Sequence, residues 1–196
     1  HVIDISAAQR KWPDVLRFAN LFVNEFSAST HASKVQLFYG EGHLGQGNLP
    51  EAERVLQTLR KGVQDGQLAA ADWTERIWVV LAEIALARKQ YTDIDSLASE
   101  LIDRSPNSRF LFQIRDVQGR RWKSQPEPDF DKAREYFEQV TLDEVGRGTE
   151  TAARCQFLIG ETLLLQNRRK EALTEYHRVY LNYQGADEWR VRGLYQ

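Results

Sequence analysis

The 196-residue chain is 42% hydrophobic and 28% charged, with aromatic residues spread along its length, a composition typical of a folded globular protein. A net charge of −2 gives no electrostatic signature of nucleic-acid or lipid binding. One cysteine excludes an intrachain disulfide framework and a multi-cysteine metal site, and no apolar run approaches the ~20 residues that span a bilayer. Because there is no methionine, even at position 1, we expect a processed product or a piece of a larger protein.

Helices are predicted along nearly the whole chain, because apolar residues recur three and four positions apart and strict alternation is absent. The first dozen residues are interpreted as the remnant of a helix. The predicted helices then cover residues 13–26, 32–46, 49–63, 73–89, 93–104, 107–123, 130–141, 150–166 and 169–183, with another beginning near residue 187.

Several helix ends have local signals in the sequence. Asn48, Asp72 and Thr92 each precede an acidic residue by three positions, so we expect their side chains to cap the first turn of a helix. Pro50 is tolerated in such a turn, and Pro106 lies where a helix should already have ended.

Small residues recur at a fixed interval of 12 positions. In each pair the first member lies in one apolar stretch and the second, small or aliphatic, lies in the next: Gly40 and Ala52, Ala82 and Ile94, and Gly160 and Ala172. The interval fits two short antiparallel helices that approach closely, which is the unit of a helical solenoid. The third unit departs from it, because 12 positions before Ala133 stands Arg121. This break coincides with residues 125–129, which are predicted to form an inserted, extended loop.

These positions resemble the tetratricopeptide repeat (TPR) family. The fullest match comprises Trp78, Leu81, Ala82, Ala85, Ile94, Ala98, Leu101 and Pro106. The final unit matches at Ile159, Gly160, Leu163, Ala172, Tyr176 and Val179, and the unit before the middle one at Tyr39, Gly40, Ala52, Leu56 and Leu59. Gln36 and Gln156 depart from the pattern, since the family has a large aromatic residue at their position.

The resemblance implies an all-α, right-handed helical solenoid of antiparallel helix hairpins over residues 1–196. Its units would be residues 1–30 (partial), 31–66, 72–106, 107–142, 149–184 and 186–196 (truncated). The last complete unit is most similar to TPRs of bacterial envelope proteins, such as the Tol-Pal coordinating protein. That similarity implies a bacterial periplasmic or cell-envelope location.

In the TPR resemblance, one face of each first helix lines a concave groove. The corresponding positions here are Lys34, Leu37, Glu41 and Leu44; Arg76, Val79, Glu83 and Leu86; and Arg154, Phe157, Glu161 and Leu164. The order basic, apolar, acidic, apolar recurs, and residues seven apart share one helix face. This surface would suit a peptide with apolar anchors and charged flanks. Alternatively, the charges pair with neighbouring helices or face water and contact no ligand.

Other candidate chemistry is weak. The four histidines lack metal-binding spacing, and Cys155 is interpreted as a structural thiol. The glycines of residues 40–47 follow no predicted strand, so we expect them to serve helix packing and a left-handed helix end rather than phosphate binding. Arg115, Arg120, Arg121, Trp122 and Lys123 form a basic patch, which we interpret as a helix C-terminal end rather than a nucleic-acid site.

The sequence therefore predicts a non-catalytic protein–protein interaction scaffold that binds a peptide or protein surface, with no cofactor and no metal. Two alternatives stay open at this point. The chain could be a helical regulatory module of a larger enzyme, or a structural envelope array that self-associates. The identity of the partner does not follow from the sequence.

Overall fold

A computed structural model describes all 196 residues, which form eleven α-helices and no β-strand. The all-α prediction is confirmed. The chain divides into two compact units, residues 1–87 and 88–196, which are described separately.

The first unit contains five helices: α1 (Val2–Ala8), α2 (Trp12–Glu25), α3 (Ala32–Gly45), α4 (Leu49–Gln64) and α5 (Arg76–Ala87). Each helix packs on the next one in the chain. In addition, α1 packs on α3, and α3 packs on α5. This combination of contacts to the next helix and the next but one is consistent with a helical repeat.

The second unit contains six helices: α6 (Tyr91–Arg104), α7 (Leu111–Ser124), α8 (Phe130–Leu142), α9 (Glu150–Leu165), α10 (Arg169–Asn182) and α11 (Asp187–Leu194). Consecutive helices pack together here too, and α9 also contacts both α7 and α11. A continuous buried core follows α7 to α11 and includes Phe137, Phe157, Tyr176 and Trp189.

The predicted helices are present with small shifts at their ends, but the predicted caps are wrong. Asn48 is the N-cap residue of α4 without a side-chain cap bond, because its amide lies 3.3 Å from Nδ1 of His43 instead. Thr92 lies inside α6, and Asp72 lies in a turn ahead of α5.

Side-chain caps occur instead at two residues that the sequence analysis did not select. The Asp129 carboxylate accepts from the backbone N–H of Lys132 (2.9 Å) at the start of α8, and the Thr149 hydroxyl accepts from Ala152 (3.2 Å) at the start of α9. Pro106 follows the end of α6, as predicted.

Glycines mark the closest approaches between paired helices. A Cβ on Gly40 would lie 2.9 Å from Cγ of Leu56, and a Cβ on Gly160 would lie 2.5 Å from Cε1 of the Tyr176 ring. Leu56 and Tyr176 each stand one turn after the predicted contact residues, Ala52 and Ala172, which are fully buried or nearly so. The close approach of these two helix pairs is therefore confirmed. Ala82 and Ile94 belong to different units, so their contact stays a prediction.

The third hairpin follows the same design, with Gly119 rather than Arg121 as its small residue. A Cβ on Gly119 would lie 2.4 Å from the Phe137 ring, and Phe137 stands one turn after the buried Ala133. The extended segment at residues 125–129 adds two residues to the connection, so counting back 12 positions from Ala133 selected the wrong residue of α7.

Candidate functional site

The predicted groove residues of the first unit are joined by ion pairs between first helices. Lys34 on α3 lies 3.6 Å from the Asp4 carboxylate on α1. The Arg76 guanidinium on α5 pairs with the buried Glu41 carboxylate on α3. Each basic residue therefore reaches back to an acid on the preceding first helix.

The apolar groove positions of the first unit differ in exposure. Leu37 and Val79 are buried, whereas Leu44, Leu86 and the acidic Glu83 are partly exposed. The two buried residues belong to the core, so only the later positions on each helix are available to a ligand.

The groove positions of α9 show the same division. Arg154 Nη2 lies 2.5 Å from Asp116 Oδ2, and Glu161 lies 3.0 Å from Lys123 Nζ, both on α7. Phe157 is buried, with its ring centroid 5.2 Å from that of Tyr176 and 5.6 Å from that of Trp189. Leu164, by contrast, is 38% exposed.

A charged cluster around Asp116 lies at the centre of the contact between α7 and α9. Asp116 is fully buried and accepts from Arg154, from Arg120 (2.9 Å in the ion pair) and from the Cys155 thiol (3.3 Å). Burial favours a raised pKa, but the two guanidinium charges and these hydrogen bonds outweigh it, so the pKa of Asp116 lies below its usual value. Asp116 is therefore a carboxylate in the folded protein.

Cys155 is a buried thiol in this cluster. Burial, followed by the negative charge of Asp116, raises the pKa of Cys155 well above its usual value. A thiol held in its protonated form is a poor nucleophile. The arrangement therefore fits the predicted structural role.

Glu41 occupies the contrasting environment in the first unit. Burial raises the pKa of Glu41, and the charge and hydrogen bond of Arg76 only partly oppose this. Glu41 pairs with Arg76, whose side chain is 41% exposed, whereas Asp116 pairs with two arginines that are more enclosed. The opposite pKa shifts follow from that difference.

The charged residues of the basic patch predicted on α7 all form ion pairs with carboxylates. Each of its charged residues has a carboxylate partner: Arg115 with Asp143, Arg120 with Asp116, Arg121 with Asp95, and Lys123 with Glu161. The Trp122 ring carries the cationic groups of Arg121 and Lys132, each 3.7 Å from its centroid. These contacts favour the structural interpretation of the patch over a nucleic-acid site.

Sequence reasoning missed Asp116 as a site residue and assigned Lys123 only to the basic patch. They also stand seven apart and, with α7 aligned on Gly119, occupy the two positions that are apolar on α3, α5 and α9. Each of them lies opposite an unlike charge on α9. Alignment of α7 on Gly119 would have revealed them.

The glycines of residues 40–47 serve helix packing and a helix end, as the sequence predicts. Gly42 and Gly45 of α3 pack against α2, since a Cβ on Gly42 would meet Leu16 at 2.8 Å and one on Gly45 would meet the Trp12 ring at 2.4 Å. Gly47 follows the helix with φ of +77°, the expected left-handed end. No group of three His, Cys, Asp or Glu side chains is arranged to hold a metal ion, and none of the helices has the length and apolarity needed to span a bilayer.

Comparison with known proteins adds no assignment: no protein-family model matches the chain, and no curated protein shows significant sequence similarity to it.

Proposed function

We propose that the chain is a TPR-like, right-handed solenoid of antiparallel helix hairpins. In this proposal it acts as a non-catalytic scaffold that binds a peptide or a protein surface on the concave face of its first helices. The single observation that carries the proposal is the side-by-side packing of first helices within each unit, which brings groove positions of successive hairpins together.

The ion pairs between first helices support a rigid binding face. Arg76 with Glu41, and Arg154 with Asp116, link helices that belong to successive hairpins. A face that is already ordered loses little conformational entropy when a partner binds. Because these charges are paired, the partner would be recognised chiefly by the exposed apolar position of α9, Leu164.

A selection experiment tests this proposal. Random peptides displayed on phage would be selected against the intact chain, and the affinity of the enriched peptides would be measured by fluorescence polarisation. Burying a leucine side chain contributes about 1.5–3 kcal/mol, so Leu164→Glu should weaken such peptides at least ~10-fold. The adjacent Leu165, which is 61% exposed, provides the control variant Leu165→Glu, and this change should leave affinity within about two-fold. Failure to enrich any peptide, or equal loss in both variants, contradicts the proposal.

A bacterial cell-envelope location is proposed from the similarity of the last complete unit to envelope TPR proteins. The test is fractionation of the source cells with an antibody against the chain. Recovery with the cytosolic fraction contradicts this location while leaving the scaffold proposal intact.

A further inference from the structure

A cleft in the second unit lies between α8 and α10, above α9. Its volume is about 530 Å³. Ile159 and Tyr183, both nearly buried, provide apolar surface, and the exposed Leu142 lies at its edge. Gln156 and Glu175 form a polar wall, in which Gln156 Nε2 donates to Glu175 Oε2 (2.6 Å).

A smaller cleft of about 180 Å³ occupies the equivalent place in the first unit, between α2 and α4 above α3. The same interval of 120 positions separates four lining residues of the two clefts: Gln36 from Gln156, Tyr39 from Ile159, Val55 from Glu175, and Thr58 from Arg178. The two openings are therefore one recurring feature of the hairpin rather than unrelated surface irregularities.

Each cleft is lined by a glutamine at the position where α5 carries a tryptophan. Trp78 stands four positions before the small residue Ala82 on α5 and is fully buried. Gln36 and Gln156 stand four positions before Gly40 and Gly160. A glutamine side chain is smaller than an indole, and Gln156 is held against Glu175, so the space beside it stays open.

We propose that the cleft between α8 and α10 binds a tryptophan or tyrosine side chain of a partner protein. This side chain would occupy the space beside Gln156, whose position on α5 carries the buried Trp78. An aromatic side chain with one polar group matches a cleft with an apolar floor and a polar wall. Glu175 already accepts from Gln156 and from Arg178 (2.8 Å), and a carboxylate retains further lone pairs for an indole N–H or a phenol O–H.

The size and rim of the cleft favour the second unit as the binding site. Its volume exceeds that of the cleft in the first unit about three-fold, which leaves room for the main chain on either side of the aromatic residue. The exposed Glu138 and Arg147 lie at the rim, where they face the flanking residues of the partner. This site uses α8 and α10 and is independent of the groove proposed above.

Titration of the ¹⁵N-labelled chain with N-acetyl-L-tryptophanamide, followed by NMR, tests the inference. Saturable shifts should appear at the residues that line the cleft. Gln156→Trp, which fills the cleft from within, should lower the affinity at least ten-fold. The matched variant Gln36→Trp makes the same change in the first unit and should leave these shifts unaltered, as should Leu164→Glu in the proposed groove.

A second variant and a second compound test whether binding depends on the cleft and on the aromatic ring. If Gln156→Trp fails to fold, Thr141→Phe, which obstructs the cleft from α8, should give the same loss of affinity. N-acetyl-L-leucinamide should bind at least ten-fold more weakly than the tryptophan compound. Shifts outside the cleft, equal binding of the leucine compound, or unchanged affinity in the obstructed variants would overturn the proposal, and none of these results bears on the groove.

Discussion

Replacing Asp116 with asparagine tests whether charge pairing holds α7 and α9 together. The substitution conserves the side-chain volume, so no cavity forms, but it removes the negative charge from a fully buried position. Arg120 and Arg154 would then lie beside each other without their shared carboxylate. We expect the folded state to lose stability through this uncompensated charge.

The size of the effect follows from the enclosure of the partners. Removing one member of a buried ion pair costs about 3–5 kcal/mol. The Arg120 and Arg154 side chains remain 21% and 25% exposed, so water stabilises part of their charge. We therefore expect a loss near the lower limit, about 3 kcal/mol. For a chain of this length that corresponds to a fall in Tm of roughly 6–12 °C.

The pH dependence of the effect has a defined sign. Because the pKa of Asp116 is lowered in the folded protein, its contribution to stability is present above the unfolded value of about 3.9 and is lost as the pH falls through the folded value. The difference in unfolding free energy between wild type and Asp116→Asn should be constant from about pH 5 to 7 and should narrow below about pH 4.

Urea denaturation monitored by circular dichroism measures this difference at each pH. Asp187→Asn is the control, because Asp187 is 85% exposed while also paired with an arginine, Arg190. That change should cost less than about 1 kcal/mol. Wild-type stability in Asp116→Asn, or a difference that widens as the pH falls, would refute the proposed role of the cluster.

Two further predictions concern Glu41 and the helix contacts. Glu41→Gln should leave the unfolding free energy at pH 7 within about 1 kcal/mol of wild type. Because the pKa of Glu41 is raised in the folded protein, the unfolding free energy of the wild type falls relative to that of the variant as the pH rises through this pKa. Urea denaturation should therefore show the variant becoming more stable relative to wild type from about pH 4 to 7. The opposite trend contradicts this prediction. Gly160→Ala should lower the unfolding free energy by about 1–3 kcal/mol, because the new Cβ would clash with the Tyr176 ring. Gly62→Ala places a Cβ 3.5 Å from Cβ of Leu68, an ordinary van der Waals distance, and should raise the unfolding free energy by about 0.5–1 kcal/mol. Equal signs in the two alanine variants would disprove the packing argument.

Sequence pattern predicted the helices well because apolar periodicity reports directly which face of a helix is buried. Caps were predicted poorly, since a capping bond also requires a particular backbone geometry at the residue before the helix. Asn48 has a suitable side chain but directs it to His43. The sequence pattern places Arg154 and Glu161 on one face of α9, but their ion-pair partners depend on the stagger between helices, which no single-helix pattern contains.

The spacing of the ion pairs shows how stagger selects those partners. Asp116 with Arg154 and Lys123 with Glu161 are separated by the same 38 positions. Two contacts that lie two turns apart and share one interval require α7 and α9 to run in the same direction, side by side.

Glu41 and Arg76 link α3 to α5 across 35 positions. Glu41 stands one position after Gly40, whereas Asp116 stands three positions before Gly119, so the acid of the pair lies about one turn earlier on α7 than on α3. What these hairpins share is the set of close helix approaches, with Gly40, Gly119 and Gly160 each facing a large side chain of the following helix. Those approaches fix how deeply each hairpin packs, and this depth in turn brings unlike charges on successive first helices within reach. A strict repeat length would have hidden this relation, since it places Arg121 where Gly119 makes the contact.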